Sequence, residues 1–238
     1  SEIGLVDSNM VNVGIKKSGI SLQEKTYISS EVKFKHAESK LLGMLMGPFG
    51  GCFAIRKSLF IPIPENFMVD DFFVCMNILK NGNLAINDLD AVVYEDVSNQ
   101  ISEEFRRKRR ISMGNFINLF HFKKLLLKPF TKLGFIFLSH KVIRWFGPIL
   151  LLLVLASNFI LISDSIFYKI AFFSQLILFI SPFIDLLLRK IGIHVLILRF
   201  ATHFYSMNLA LFMGMIDYLT VNKKGVWEPT KRKQDEIQ

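Results

Sequence analysis

Cysteine is scarce: Cys52 and Cys75 are the only two in 238 residues. Two cysteines do not make a disulfide framework, and they are compatible with a reducing compartment. No CxxC or HExxH pattern is present, so the common zinc arrangements are excluded. The glycines at 47–51 are not followed by Gly-Lys-Ser/Thr, which removes a P-loop, and there is no dinucleotide fingerprint and no GxSxG nucleophile turn. Acidic residues are outnumbered, 20 Asp and Glu against 29 Lys and Arg, for a net charge of +9. Internal repeats and low-complexity linkers are lacking. What remains is apolar and basic. Hydrophobic residues make up 51% of the chain, with 24 Phe, and mean hydropathy is +0.38. Disordered chains are poor in such residues, so disorder is excluded. The balance points to a membrane protein whose cytoplasmic face meets anionic lipid or an anionic substrate. The apolar half argues against nucleic acid as the reason for the charge.

The chain divides in two. Residues 1 to about 100 mix polar and apolar positions as a soluble α/β part does. Ile3 to Val6 and Val11 to Ile15 read as short strands around a polar turn. Tyr27 to Leu42 shows helical spacing and ends at Gly43. A glycine-rich turn, Met46 to Gly51, precedes the strand-like Cys52 to Ile55. Ile61 to Pro64 is extended, because proline disfavours helix in the residue before it. Asp70 to Asn81 predicts a helix closed by Gly82, and Leu84 to Ile86 and Ala91 to Tyr94 predict strands. Phe116 to Leu127 interleaves apolar residues with His121, Lys123 and Lys124, as an amphipathic interface helix does. Three nearly uncharged stretches follow: Phe146 to Ile162, Ile170 to Ile184 and Phe200 to Ile216. Each spans a bilayer core of about 30 Å once its flanks are added. Lys141, Arg144, Arg189 and Lys190 place the soluble half on the cytoplasmic side. The short tail is basic as well, which resists export. One stretch is therefore expected not to cross, and the best candidate is Phe200 to Ile216, with His203, Asn208 and Gly214.

Few residues carry chemistry. Asp70 and Asp71 stand at the start of a helix, where free amides and the dipole favour negative charge. The alternative to simple capping is a general base, since an ionised carboxylate accepts a proton from an attacking hydroxyl. Gly50 and Gly51 allow a ligand to approach the backbone closely, or simply make a turn. Arg106-Arg107-Lys108-Arg109-Arg110 reads first as a patch for anionic lipid. On a helix, however, Arg107 and Arg110 share a face and suit a diphosphate. Trp227 and Arg232, behind the last apolar stretch, read as an interface anchor or as a loop that contributes to a nearby site.

The order of these parts resembles a family. Gly-Gly-x-Phe-Ala-Ile-Arg at 50–56, Asp-Asp-Phe at 70–72, Glu-Phe-Arg-Arg-Lys-Arg-Arg-Ile-x-x-Gly at 104–114, Ser-His-Lys-x-x-Arg-Trp at 139–145 and Trp-Glu-Pro-Thr-Lys-Arg at 227–232 resemble the membrane-integrated family 2 glycosyltransferases. These are the bacterial polysaccharide-type enzymes related to hyaluronan and cellulose synthases. The resemblance implies an α/β fold: the C-terminal part of a nucleotide-sugar (A-type) domain at 1–112, amphipathic interface helices at 113–145, about three transmembrane helices at 146–221, and a basic tail with a Trp-containing loop at 222–238.

The same resemblance implies an inverting sugar transfer to a hydroxyl acceptor at the cytoplasmic face of a bacterial inner membrane. Asp71 would be the catalytic base beside Asp70. Gly50, Gly51, Arg107, Arg110, Trp227 and Arg232 would bind substrate. The partners it implies are a nucleotide sugar, a saccharide or lipid-linked acceptor and membrane lipids. The family's Gln-x-x-Arg-Trp stretch is Arg107-x-x-Arg110-Ile111 here, a departure that suits a different acceptor. A divalent metal, Mg or Mn, is expected for the complete enzyme, yet no Asp-x-Asp precedes residue 50, and Asp88-Leu89-Asp90 is out of order. The chain therefore reads as a C-terminal portion, a truncated product or one subunit of a split enzyme, inactive alone. A non-enzymatic membrane subunit that binds anionic lipid or a partner protein is the alternative. A transporter is disfavoured, because ionisable residues are few in the apolar stretches.

Overall fold

The computed structural model describes residues 2–16 and 19–220. It is a mixed helix and sheet structure with an apolar helical region behind it. Strand β1 (Ile3–Val13) lies at the centre of a three-stranded sheet, antiparallel to β2 (Phe53–Ile55) and parallel to β3 (Leu84–Asp96). Helix α1 (Ser21–Leu42) follows β1 and ends at Gly43, whose N–H donates to the Ser39 carbonyl. Helix α2 (Asp70–Lys80) lies between β2 and β3. Its Phe72, Phe73, Cys75, Met76 and Leu79 fill the core with Leu5, Leu45 and Ala85.

Two expected pairs of short strands are instead two long strands. The polar run Asp7-Ser8-Asn9 reads as a turn, but β1 continues through it because each side chain has an internal partner. Asp7 meets Lys35, the Ser8 hydroxyl donates to the Cys52 carbonyl and Asn9 donates to the Leu89 carbonyl. Opposite them β3 carries an irregularity: the register passes from Asp7–Asn87 to Asn9–Val92. Asn87 stitches that point to β1 by donating to the Ser8 carbonyl at 2.9 Å.

Helix α3 (Ile101–Phe122) is continuous across the boundary expected at residues 112 and 113. It is a core helix here. Met113, Phe116, Ile117, Leu119 and Phe122 are buried, where the charge pattern predicts an interface helix. A 3-10 turn at Lys123–Leu127 leads to α4 (Lys132–Ile136), a π-helical turn at Phe137–Val142 and α5 (Ile143–Trp145). Then come α6 (Gly147–Ile160), α7 (Ile166–Lys190) and α8 (Leu196–Thr220).

Among the described residues, α7 alone is long and apolar enough to cross a membrane by itself. The segment Lys132–Trp145 and α6 qualify only as a pair, and they are bent by 68°. With 14 residues, α6 is roughly 21 Å long, short of a bilayer core. Apolar side chains cover the outside of α7, including Ile166, Phe167, Ile177, Phe183 and Leu187. Such a surface favours lipid over water.

Helix α8 is placed differently. It packs along α3, with the Ser112 hydroxyl donating to the Leu211 carbonyl at 2.7 Å. A Cβ on Gly214 would collide with the Arg109 carbonyl and the Ser112 side chain, so glycine permits this approach. Polar groups near both ends of α8 reach the α/β part. Arg199 donates to the Gly19 carbonyl, and Asp217 accepts two bonds from Arg109 at 2.6 and 2.7 Å. Buried polar groups in an apolar helix need such partners. Both ends of α8 are thus expected on the side that holds the sheet. Cysteines at Leu196→Cys and Thr220→Cys, compared with the exposed native Cys52, should all react with an impermeant maleimide from one side of sealed vesicles. Labelling of positions 196 and 220 from opposite sides would show that α8 crosses.

Candidate active-site cleft

A cleft of about 1630 Å³ runs between α1, the 47–51 turn, the start of α2, α3 and the apolar helices α6 and α8. The sequence-designated residues Gly50, Gly51, Asp70, Asp71, Arg107 and Arg110 all line it. Trp227 and Arg232 lie outside the described residues.

Three contacts set the position of Asp71. Its Oδ1 accepts from the Phe72 N–H at 2.6 Å, and the Asp71 N–H donates to Asp70 Oδ1 at 2.9 Å. The Phe72 ring anchors the next residue against Trp145 and Phe137, with centroids 5.6 and 6.1 Å away. From α3, Asn118 holds the Val69 carbonyl at 3.0 Å, just ahead of the aspartates. The other carboxylate oxygen faces the glycine turn: a Cβ on Gly50 would lie 3.0 Å from Asp71 Oδ2. Burial raises the Asp71 carboxyl from 3.8 to about 6, opposed by the Phe72 N–H and aided by the charge of Asp70. It is therefore largely ionised at neutral pH and still basic enough to accept a proton.

Sequence reasoning missed the residue behind the turn. Lys35 of α1 is 2% exposed and Asp7 is 0% exposed. They pair at 3.5 Å, and Lys35 Nζ stands 3.3 Å from the centre of the Phe49 ring. Asp7 Oδ1 accepts from the backbone N–H of Phe49 at 3.0 Å. One ion pair therefore ties β1, α1 and the glycine turn together. Burial pulls both partners toward neutrality, raising Asp7 and lowering Lys35. A lysine in a helix gives no signal by spacing; only its unusual register, on the buried face with Ile28 and Val32, marks it.

A second buried cluster was also unread. Glu31 of α1 accepts from Arg144 at 2.8 Å and from Lys141 at 3.3 Å. His140 bonds to Glu38 at 2.6 Å. Lys141 and Arg144, which by position read as topology signals, thus serve as structural cations in the cleft wall. Although burial opposes it, Lys141, His140 and Arg144 hold the Glu31 carboxyl well below its ordinary value.

The basic run is largely matched within the protein. Arg106 pairs with Glu103, Arg107 with Glu104, Lys108 with Glu24 and Glu104, and Arg109 with Asp217. Arg107 and Arg110 share the cleft with the aspartates. Burial and the neighbouring Arg107 pull the Arg110 guanidinium below its ordinary value, while Asp70 and Asp71 hold it up. These four groups therefore sense one another's charge.

Among the described residues, no three His, Cys, Asp or Glu side chains are grouped to hold a metal ion. Asp88 and Asp90 do not supply one either: they are exposed on β3, where Asp88 Oδ1 accepts from the Asp90 N–H. No family model matches the chain, and no curated protein matches it.

Removing the charge of Glu31 should leave the buried Lys141 and the half-buried Arg144 with no carboxylate between them. Glu31→Gln is expected to destabilise the protein by about 3–5 kcal/mol at neutral pH. A carboxyl with a depressed folded pKa contributes its stability above the unfolded value of 4.5 and loses it as pH falls. The melting-temperature gap between wild type and variant in detergent should therefore narrow below about pH 4.5. A constant gap would assign the loss to packing instead.

Proposed function

We propose that the cleft is the acceptor side of a glycosyltransferase site of the family 2 type, set at the cytoplasmic face of a bacterial inner membrane. The observation that carries this reading is the placement of Asp71. Its carboxylate lies in the wall of a large cleft, against the backbone of Gly50, on the same cleft surface as Arg107 and Arg110. The motif order described for the sequence supports the same reading, as does the apolar α7.

In this reading Asp71 accepts the proton of an acceptor hydroxyl as its oxygen attacks the anomeric carbon of a nucleotide sugar. The new glycosidic C–O bond forms as the bond to the diphosphate oxygen breaks. The leaving nucleoside diphosphate takes that electron pair, and Arg107 and Arg110 offset its growing charge. One displacement inverts the anomeric centre, so no second carboxylate acts as nucleophile. Gly50 matters because any side chain there would enter the space in front of Asp71. The pairing of Arg106, Lys108 and Arg109 with internal carboxylates weakens the alternative of a lipid-binding subunit without catalysis.

The same burial that makes Asp71 basic makes it unfavourable. Its folded pKa of about 6 lies above the unfolded 3.8, so stability falls as pH rises through that window. The loss at neutral pH is about 3 kcal/mol. In this chain Asp71→Asn should therefore raise stability at pH 7 by about 1–3 kcal/mol, and in an enzyme completed with its metal-binding half it should lower sugar transfer by about 100- to 10,000-fold. Radiolabelled transfer from a panel of nucleotide sugars and melting in detergent check both. An Asp71→Asn protein that transfers normally would remove the base from the mechanism.

A further inference from the structure

The cleft continues well past the carboxylates. Leu150, Leu151 and Val154 of α6 and Phe200, Phe204 and Met207 of α8 line its far part. Nothing in that stretch of α6 is charged, and Leu150 and Val154 are exposed. The volume of about 1630 Å³ exceeds the roughly 300–1,000 Å³ that suits a drug-sized ligand. One continuous space therefore has a polar end at Asp71 and a largely apolar end between two helices, with Asn208 and the Glu24-paired His203 also in its lining. These helices are continuous with α7, whose apolar surface is fit for lipid. A soluble sugar acceptor would fill the first end and leave the second wet.

Charge selects among lipids. Five of the cations that line the cleft have carboxylate partners: Lys35 with Asp7, Lys141 and Arg144 with Glu31, Arg107 with Glu104, and Lys108 with Glu24 and Glu104. Asp70 and Asp71 add negative charge at the point where a head group would arrive. In the transfer reading Arg107 and Arg110 meet the donor's diphosphate, so a lipid phosphate would have to compete for them, and its oxygen, already ionised, would need no base. A neutral hydroxyl needs the proton acceptor that Asp71 provides. Resting on the transfer reading above, we propose that the acceptor is a two-chain lipid with a neutral hydroxyl head, of the diacylglycerol type. Its chains lie against α6 and α8, and its hydroxyl reaches Asp71.

Trp145 lines the cleft, and Trp227 is the only other tryptophan. In the full chain carrying Trp227→Phe, fluorescence therefore reports the cleft alone. The protein in detergent micelles is titrated with diacylglycerol brominated in its chains, with phosphatidic acid bearing the same chains, and with a brominated detergent. Saturable quenching by diacylglycerol is expected, with phosphatidic acid at least about fivefold weaker. Val154→Asn should raise the half-quenching concentration about tenfold by placing an amide against the chains. Leu152→Asn, at an exposed position of the same helix that does not line the cleft, should leave it unchanged. Non-saturable quenching alike for every additive, or equal effects of the two variants, would reduce the cleft to a surface wetted by detergent and overturn the proposal. Preference for phosphatidic acid would overturn the neutral head. Binding is read without a donor, so these results leave the transfer reading standing. Transfer to a soluble saccharide by a protein that does not take up diacylglycerol would uphold that reading and overturn the lipid acceptor. Selective diacylglycerol binding with no transfer from any nucleotide sugar by an enzyme completed with its metal-binding half would overturn the acceptor role through failure of the transfer reading.

Discussion

The inner face of α1 carries charge where an ordinary helix would carry leucine. Glu24, Glu31 and Lys35 are all buried, in register with Ile28, and each meets a different part of the chain. Glu24 bonds to His203 of α8 at 2.7 Å and lies 3.8 Å from Lys108 of α3. Glu31 takes Lys141 and Arg144 from the segment ahead of α6. Lys35 takes Asp7 from the central strand. A buried charge left alone is strongly destabilising, so each pair fixes the distance and register of the element that supplies its partner. The apolar clusters stabilise the fold, but they are tolerant of sliding, whereas these ion pairs are not.

The cleft follows from that constraint. Because α1 holds α3, α5 and α8 by their polar groups, the space between them is not closed by side-chain packing, and a deep opening survives in a small protein. Asp71 sits in that opening on a helix start whose neighbours, Phe72 and Phe73, are locked in the core. Rigid support below and low dielectric around it raise its proton affinity. The structure accepts an unfavourable carboxylate at the one place where, on the reading proposed here, proton transfer occurs. Polar contacts also place the apolar helices. Glu24 of the clamp takes His203, the Gly19 carbonyl takes Arg199 and Arg109 of α3 takes Asp217, which keeps α8 against α3, while α7 is left with an apolar exterior.

Much of this was legible in the residues, for identifiable reasons. Gly43 and Gly82 bracket their helices, and Asp70-Asp71 marks the start of α2. Arg107 and Arg110 on one face, the Gly50-Gly51 turn and the aspartates do share one cleft. Asp7-Ser8-Asn9 was not legible, because polarity in a strand looks like a turn unless its partners are known, and those partners lie at Lys35, Cys52 and Leu89. The stripe on α1 was illegible for a related reason: period methods weigh apolar residues, and this helix buries charged ones. Phe200 to Ile216 is apolar by composition, yet the basic tail together with His203, Asn208 and Gly214 marks it in the sequence as the stretch least suited to cross. The partners of His203 and of the flanking Arg199 and Asp217, distant in sequence, are what the residues alone did not show.

The account turns on one ionisation, that of Asp71 inside an otherwise matched set of charges. The most direct measurement is the infrared difference between wild type and Asp71→Asn in detergent, followed across pH. The carboxylic acid band unique to wild type should disappear with a midpoint near pH 6, the raised value that burial imposes. A midpoint at or below the ordinary 3.8 would mean that Asp71 is a solvated helix cap and that the cleft holds no base.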